Sequence, residues 1–235
     1  MLKKIFNLLG YSFHKLHKGI GEEEIIDFQI KQVKPDLIID CGANCGDFYK
    51  LVKKHKKRMI LFEPNPDLFK KLNGLSKIDK NLTFINKGTD KKNCSKNIFI
   101  TNDTGQTLSS IKKPSNEIKK NFKKSDTIKI KKIQLVSLNY ILSKLKISNK
   151  QKIFLKLDTQ GNDFETLIGL KKKIKQVVLI KTEMPVTHLY NNVKSHWEIL
   201  KFLKKNKFKP IHFANGPRDK NGRIIEYDVI FFKES

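Results

Sequence analysis

The sequence predicts an α/β fold in which helices cover both faces of one doubly wound, mostly parallel sheet. Three observations carry this prediction. Strand-like and helix-like segments alternate along most of the chain. Several strand-like segments are unbroken apolar runs, such as residues 37–39, which is typical of strands buried on both faces of a parallel sheet. Several of these runs also end on an acid, at the edge where such sheets bind ligands.

The first half of the chain fits this pattern. Pro35 closes the first helix because the residue before a proline avoids helical geometry, and Pro66 suits the first turn of a later helix. The predicted elements are helix 22–33, strand 37–40, helix 47–52, strand 59–63, helix 67–72 and strand 82–86.

The second half is less regular up to residue 150, and we expect residues 87–150 to face the substrate. The predicted elements are strands 97–101 and 127–135, helix 137–145, strand 153–158, helix 163–170, strand 177–183, helix 198–206, and an antiparallel hairpin of strands 208–213 and 227–232.

The chain divides into an N-terminal helical segment, residues 1–34, and a single domain, residues 35–235. Apolar residues recur at helical spacing between Leu2 and Leu16, with Lys and His on the opposite face. We expect this segment to pack on the domain. The alternative is weak contact with an anionic membrane surface, which would make a cytoplasmic protein peripheral to the inner face of the membrane.

The net charge of +26 raises the question of nucleic-acid binding. Arginine, the usual residue for bidentate contacts to bases, accounts for only three of the 49 basic residues, and lysine for the other 46. Lysine is spread over the whole chain. This distribution favours a generally lysine-rich surface over a specific nucleic-acid site.

The three cysteines, Cys41, Cys45 and Cys94, are odd in number and lack the C-x-x-C spacing. We interpret them as small, largely buried residues in a reducing cytosol, and predict neither a disulfide framework nor a zinc site.

Residues 37–46 combine a strand, a glycine turn and a helix start, the pattern of a nucleotide pocket. A dinucleotide fingerprint counted from Gly42 requires glycine where this chain has Asn44 and Asp47. Asp47 would repel a pyrophosphate, so we favour a ligand without phosphates. S-adenosylmethionine fits, and Asp40 would take its ammonium group directly or through water. The alternative is a tight turn that binds nothing.

Four acids, Asp40, Glu63, Asp158 and Glu183, close predicted parallel strands. The carboxyl ends of these strands meet at one edge of the sheet, so we expect the four side chains to converge there.

These residues resemble the FkbM-type methyltransferase family from about residue 37 to residue 232. The resemblance rests on motifs of matching order and spacing: residues 40–46 (DCGANCG), 62–66 (FEPNP), 156–163 (KLDTQGND) with Leu167 and Gly169, then Glu183, the pair 189–190 (LY) and residues 227–231 (YDVIF). It implies a class I methyltransferase fold with a seven-stranded sheet and S-adenosylmethionine as cofactor. Many members O-methylate hydroxyls of sugars or natural products.

The resemblance also implies cofactor-binding residues. Gly42, Asn44 and Gly46 would surround the methionine part, and Glu63 would accept hydrogen bonds from both ribose hydroxyls. Asp90, after the third strand, would accept from the adenine amino group.

Methyl transfer to a hydroxyl needs alignment and a proton acceptor. Asp158 is the first candidate for this base, followed by Glu183 and His188. Asp158 has two alternative roles, as a helix cap and as a cofactor contact. A Mg²⁺ ion held by Asp158 and Glu183 is a further alternative, but no compact ligand spacing supports it, and we predict no metal site.

We therefore predict an S-adenosylmethionine-dependent O-methyltransferase acting on a sugar, polysaccharide or related small metabolite, with no specific nucleic-acid partner. The first alternative is an RNA or DNA methyltransferase. Methyltransferases of this fold that act on base amines commonly carry an Asn/Asp-Pro-Pro-Tyr-like turn after the fourth strand. This chain has residues 158–161 (DTQG) at that position, which argues against this alternative. The second is a non-catalytic nucleotide-binding module.

Overall fold

The computed structural model describes residues 21–77 and 79–234, without the side chains of residues 76 and 77. The α-helices are α1 (Glu22–Val33), α2 (Asp47–Val52), α3 (Pro66–Asn73), α4 (Asn116–Asn121), α5 (Leu138–Lys144), α6 (Asp163–Gly169) and α7 (His196–Lys205). The strands are β1 (Leu37–Cys41), β2 (Arg58–Phe62), β3 (Leu82–Ile85), β4 (Gly88–Thr89), β5 (Cys94–Thr101), β6 (Thr127–Val136), β7 (Ile153–Leu157), β8 (Val177–Pro185), β9 (Phe208–Phe213) and β10 (Glu226–Lys233). Short 3-10 helices occupy Lys53–His55, Gly74–Lys77 and Lys171–Gln176.

The main sheet has seven strands in the order β3-β2-β1-β7-β8-β10-β9. All neighbouring strands from β3 to β8 are parallel, and β10 runs antiparallel to both β8 and β9. The predicted mostly parallel seven-stranded sheet with an antiparallel C-terminal hairpin is therefore confirmed. The strand order reverses between β1 and β7, so their carboxyl ends flank the crevice where doubly wound sheets bind ligands.

The apolar run of β1 faces two separate cores. Ile39 packs with Leu155 and Val229 on the face covered by α5, α6 and α7. Ile38 packs with Phe154 and Ile230 on the face covered by α1 and α2. Each side of the sheet is buried by helices, which explains why this strand shows no polar alternation.

A second, three-stranded sheet has the order β4-β6-β5. The sequence predicted most of β5 and β6 but not that they leave the main sheet. β4 is two residues long and was missed, because so short a strand carries no periodicity. Helix α4 lies between the predicted strands 97–101 and 127–135, where no helix was predicted. It has six residues, with the Ser115 hydroxyl accepting from the Glu117 N–H at its start.

Helix α1 has the predicted bounds and places Ile26 and Ile30 in the core beside β1. The predicted helical pattern between Leu2 and Leu16, and its membrane alternative, lie outside the described residues. Across residues 21–77 and 79–234, no helix has the length and apolarity needed to cross a membrane.

Candidate functional site

A cleft of about 760 Å³ opens at the carboxyl edge of the main sheet. Its wall includes the turn after β1, the acids that follow β2 and β7, and the end of β8. Three of the four acids predicted to converge line it: Glu63, Asp158 and Glu183. A cleft of this size lies in the range typical of small-molecule sites.

The turn after β1 is held between the two strands that flank β1. The N–H groups of Gly42 and Ala43 donate to the carbonyl oxygen of Phe62 at 3.0 and 2.9 Å. Gly42 has φ of +84°, and a Cβ atom there would lie 1.9 Å from the carbonyl oxygen of Asp158. Only glycine combines this left-handed backbone with so close an approach to the chain after β7.

Asn44 lines the cleft, whereas Gly46 does not. The Asn44 side chain donates to the carbonyl oxygen of Gly105 at 3.0 Å. Gly46 has φ of +86°, and a Cβ atom there would lie 2.8 Å from a methyl of Leu75. Gly46 therefore starts α2 and packs against the neighbouring 3-10 helix, and its place around the methionine part of the cofactor stays a prediction.

Glu63 is buried at the floor of the cleft, where its side chain accepts two backbone hydrogen bonds. The Asn44 N–H donates to Oε2 and the Asn65 N–H to Oε1, both at 2.8 Å. Burial raises the pKa of Glu63 to about 7, and these two N–H groups oppose the rise. Each carboxylate oxygen keeps an acceptor position, which suits two neighbouring hydroxyls such as those of a ribose.

Asp40 lies beneath the turn and is fully buried, outside the lining of the cleft. The Lys156 ammonium is 3.0 Å from Asp40 Oδ1 and donates to the carbonyl oxygen of Gly42 at 2.9 Å. The position that we predicted for a cofactor ammonium is thus held by a lysine of the protein. Asp40 acts on the turn through Lys156 and lies outside the cleft lining, so a direct contact with the cofactor ammonium is not supported, and the predicted contact through water stays a prediction.

Lys156 also reaches Asp158, whose Oδ2 atom lies 3.2 Å from the ammonium. Burial opposes ionisation of Asp158, but Lys156 and a hydrogen bond from Gln160 hold the pKa of this carboxyl below its usual value. The capping alternative is wrong, because α6 receives no side-chain cap and Asp163 binds the Thr159 N–H instead. Asp158 is therefore an ionised carboxylate facing the cleft, with its side chain 46% exposed.

Glu183 has a second carboxyl, that of Glu226, beside it, which the sequence did not predict. Glu226, at the start of β10, is opposite Pro185, two residues beyond Glu183 on β8, and both glutamates line the cleft. Burial and the neighbouring Glu226 raise the pKa of Glu183 well above its usual value. Burial also raises the pKa of Glu226 to about 7, while a hydrogen bond with Glu183 opposes that rise. Two interacting carboxyls of this kind lose their protons in two steps that belong to the pair.

Asp90 and His188 lie away from the cleft lining. The Asp90 carboxylate is buried and accepts from the Lys96 ammonium at 2.5 Å and from the Lys91 N–H at 2.6 Å. These bonds engage the carboxylate with Lys91 and Lys96, outside the cleft lining. The His188 side chain is exposed. The backbone carbonyl oxygen of His188 accepts a hydrogen bond from the Ser115 hydroxyl at 2.7 Å. The geometry supports neither the adenine role of Asp90 nor the catalytic role of His188.

The loop between β5 and α4 covers one side of the cleft with residues 104–111. Besides the bond between Asn44 and Gly105, Asn65 donates to the side-chain oxygen of Gln106 at 2.7 Å. This loop therefore contacts both turns that flank Glu63. The sequence predicted only that residues 87–150 would face the substrate.

No group of three or more His, Cys, Asp and Glu side chains among the described residues has an arrangement that could hold a metal ion. The three cysteines are free, and Cys41 is buried.

The features of the cleft fit an adenosine-containing ligand with an amino-acid tail. The cleft volume is sufficient for such a ligand, and Glu63 retains acceptors for two hydroxyls. Asp47, an acid at the start of α2, would repel a phosphate group at the turn. These are properties of the protein itself and agree with the cofactor predicted from the sequence.

Comparison with known proteins gives a family. Residues 40–210, well over half of the chain, match the Methyltransferase FkbM domain. No curated protein matches the chain significantly.

Solved structures of similar fold include an rRNA methylase from Streptococcus thermophilus, with 10% identity, a TM-score of 0.46, and 86% of this chain and 89% of that chain covered. A precorrin-6y C5,15-methyltransferase from Geobacter metallireducens has 11% identity and a TM-score of 0.45, with 94% of each chain covered. A Streptococcus mutans protein solved in complex with SAH has 13% identity and a TM-score of 0.46, with 89% of this chain and 97% of that chain covered. At these identities the similarity concerns the fold alone. The chain belongs to the FkbM methyltransferase family and is an S-adenosylmethionine-dependent methyltransferase.

Proposed function

We propose that this protein transfers a methyl group to a hydroxyl of a sugar, polysaccharide or related small metabolite. The observation that carries the proposal is the buried pair of carboxyls, Glu183 and Glu226, in the same cleft as the glycine turn and Glu63. A hydroxyl acceptor must lose a proton during transfer, and a carboxylate with a raised pKa is suited to receive it near neutral pH.

The cofactor supplies an electrophilic methyl group on a sulfonium. The chain would hold its ribose with Glu63 and its amino-acid tail against the turn at Gly42 and Asn44. Lys156 fixes the Gly42 carbonyl at 2.9 Å and so holds this turn against the end of β7. Rigid placement of donor and acceptor supplies a large part of the acceleration in such a displacement.

Glu183 is the better candidate for the base, and Asp158 the better candidate for orienting the acceptor. The ammonium 3.2 Å from Asp158 stabilises its charged form, which makes it a weak proton acceptor. Glu183 has the opposite environment, because burial and the nearby Glu226 favour its protonated form. Two carboxyls whose environments push their pKa values apart commonly divide the acid–base roles of a site.

The charge of the cleft favours a neutral acceptor over a nucleic acid. Six acids line the cleft, against two lysines that are both ion-paired. The acids are Glu23, Asp47, Glu63, Asp158, Glu183 and Glu226. A polyanion would be repelled there, although the net charge of +26 allows weak, unspecific binding of nucleic acid elsewhere on the surface.

Transfer of a deuterated methyl group from S-adenosylmethionine to pooled acceptors tests the proposal. We expect label in a neutral carbohydrate fraction, bound as an ether that survives alkali. Label confined to RNA or DNA would establish the nucleic-acid alternative. Cofactor binding without transfer to any acceptor pool would favour the non-catalytic alternative.

Replacing Glu63 with alanine is expected to weaken S-adenosylmethionine binding by about 1–3 kcal/mol, because the ribose hydroxyls lose a charged acceptor. Isothermal titration calorimetry measures this directly, and NAD and ATP should bind the wild type far more weakly. The variant Asp90→Asn is the control, since Asp90 is paired with Lys96 outside the cleft. Equal loss in both variants would contradict the assignment of Glu63.

The carboxyl pair also predicts a pH-dependent effect on stability. The pKa of Glu226 is about 7 in the folded protein and about 4.5 in an ordinary glutamate, so the folded state binds the proton more tightly. The contribution of this carboxyl to stability is therefore present below about pH 4.5 and is lost as the pH rises through about 7. We expect Glu226→Gln, which stays neutral, to become more stable relative to wild type between pH 5 and pH 8.

Urea unfolding at both pH values measures this difference. A constant difference in the free energy of unfolding between variant and wild type would show that Glu226 titrates normally, and would remove it from the proposed pair.

A further inference from the structure

The loop between β5 and α4 is hydrogen-bonded to the two asparagines that hold Glu63. The carbonyl oxygen of Gly105 accepts from the Asn44 side chain at 3.0 Å. The side-chain oxygen of Gln106 accepts from the Asn65 side chain at 2.7 Å. The backbone N–H groups of the same two asparagines donate to the two carboxylate oxygens of Glu63, both at 2.8 Å. The loop therefore passes close to the carboxylate that we assign to the cofactor ribose.

Gln106 has a left-handed backbone, with φ of +55°. This conformation is unfavourable for an L-residue, so other contacts must fix it. The Gln106 N–H donates to the carbonyl oxygen of Asp103 at 3.0 Å, and the Gln106 carbonyl oxygen accepts from the Ser109 N–H at 3.2 Å. The Asp103 side chain also accepts from the Thr107 N–H and hydroxyl at 2.6 and 2.7 Å. These bonds hold Gln106 in position at the wall of the cleft.

The hydrogen bonds of Asn65 decide which end of the Gln106 amide is left for a ligand. Asn65 is fully buried, and its Oδ1 atom accepts from the Asp67 N–H at 3.1 Å. The Asn65 Nδ2 group must therefore be the donor to Gln106, which requires Gln106 to present its oxygen, Oε1. The Gln106 Nε2 group then carries two N–H donors and has no partner among the described residues.

The cofactor has one part that still needs a partner in the cleft. In the proposed arrangement Glu63 takes the ribose hydroxyls, and the turn after β1 takes the amino-acid tail. The adenine base remains, and it has apolar faces and acceptor nitrogens at its edge. Pro64 and Leu108 add apolar lining to the cleft, which suits the faces of such a base. The free N–H donors of Gln106 suit its edge.

We propose that Gln106 is a cofactor-binding residue whose Nε2 group donates a hydrogen bond to a ring nitrogen of adenine. The inference rests on the proposed placement of the ribose at Glu63 and does not depend on the methyl acceptor. The left-handed backbone at this position then serves to place the donor. A donor that is fixed before binding loses little conformational freedom when the cofactor binds.

Titration calorimetry on the full chain tests this residue with S-adenosylhomocysteine, the demethylated product, and its 1-deaza, 3-deaza and 7-deaza analogues. Each analogue lacks one of the three adenine ring nitrogens that can accept a hydrogen bond. We expect the wild type to bind at least one analogue about three- to tenfold more weakly than the parent compound, the effect of one hydrogen bond. Equal binding of all four compounds would overturn the proposal.

Gln106→Glu removes the amide donor while keeping the rest of the loop. Glutamate has the same shape and keeps the oxygen that accepts from Asn65, but it has no N–H to donate. We expect this variant to bind the parent compound at least about threefold more weakly than wild type does, and to lose the preference for the parent over that analogue. A preference equal to that of wild type would mean that another group donates to adenine, and the proposal would be wrong.

Asn102→Glu is the matched control for the added charge. Asn102 is an exposed residue of the same loop and lies outside the cleft lining. We expect its affinity and its preference for the parent compound to stay within about twofold of wild type. Losses equal to those in Gln106→Glu would show an effect of charge alone and would also overturn the proposal.

Glu63→Ala separates a failure of this inference from a failure of the ribose assignment. An unchanged affinity for S-adenosylhomocysteine in this variant would refute the placement of the ribose at Glu63. The preference among the deaza analogues, and its loss in Gln106→Glu, would still decide the role of Gln106.

Discussion

Gly42→Ala is expected to lower the free energy of unfolding by about 3 kcal/mol or more, and to weaken S-adenosylmethionine binding at least tenfold. Two costs combine at this position. A left-handed backbone costs an L-residue roughly 1–2 kcal/mol, and overpacking in a rigid region typically adds 1–3 kcal/mol. The added Cβ would lie 1.9 Å from the Asp158 carbonyl oxygen, so β1 and β7 must separate where both border the cleft. Urea unfolding and titration calorimetry measure the two effects.

Gly222→Ala is the matched control. Gly222 has φ of +79°, close to the +84° of Gly42, but an added Cβ there meets no atom within 4 Å. This variant should therefore show the backbone cost of roughly 1–2 kcal/mol and no change in cofactor affinity. Equal losses of stability in the two variants would mean that the contact with Asp158 has no energetic consequence.

Glu183→Gln is expected to lower turnover by roughly 10²–10⁴-fold, while cofactor affinity changes by no more than a few-fold. Glutamine keeps the shape of the side chain but cannot take the proton of an acceptor hydroxyl. In the wild type, kcat/KM should rise with pH as Glu183 loses its proton, because the raised pKa of this carboxyl places its titration well above that of an ordinary glutamate. The variant should lose that dependence. Initial rates of methyl transfer across a pH series measure both effects.

Asp158→Asn separates the two carboxylates. If Glu183 is the base and Asp158 orients the acceptor, Asp158→Asn should lower turnover less than Glu183→Gln and leave the pH profile of kcat/KM in place. A larger loss in Asp158→Asn, with loss of the pH dependence, would return the role of base to Asp158. Collapse of cofactor affinity would make Asp158 a cofactor ligand.

The main sheet could be predicted because its strands carry their own signal. The run Leu37–Ile39 is buried on both faces, and the alternation of strands and helices restricts the sheet to a few topologies. The second sheet could not be predicted in the same way. β5 and β6 pair across a connection of more than twenty residues, and nothing local distinguishes their partner from a strand of the main sheet.

The site residues that end a parallel strand could be predicted from the sequence. The residue that reaches the site only through the pairing of two strands was missed. Glu63, Asp158 and Glu183 close parallel strands and line the cleft. Glu226 reaches the same edge only because β10 runs antiparallel to β8, a register that the sequence does not reveal. Its position one residue before the predicted final strand was the available signal.

The role of Lys156 could not be predicted, because a lysine inside an apolar strand has no partner visible in the sequence. The register Asp40↔Lys156 between β1 and β7 supplies that partner. Asp90 was predicted to bind adenine because its true partner, Lys96, could not be foreseen. Lys96 belongs to the small sheet, whose strand pairing the sequence does not show.

The most direct test of the account is one assay of methyl transfer by wild-type protein and Glu183→Gln, with deuterated-methyl S-adenosylmethionine and a neutral carbohydrate pool. Mass spectrometry of the acceptors identifies the atom that gains the label. We expect a labelled methyl ether on a carbohydrate hydroxyl with the wild type, and a loss of transfer of at least about 10²-fold in Glu183→Gln at unchanged cofactor affinity. Label on a nitrogen or on nucleic acid, or equal transfer by both proteins, would contradict it.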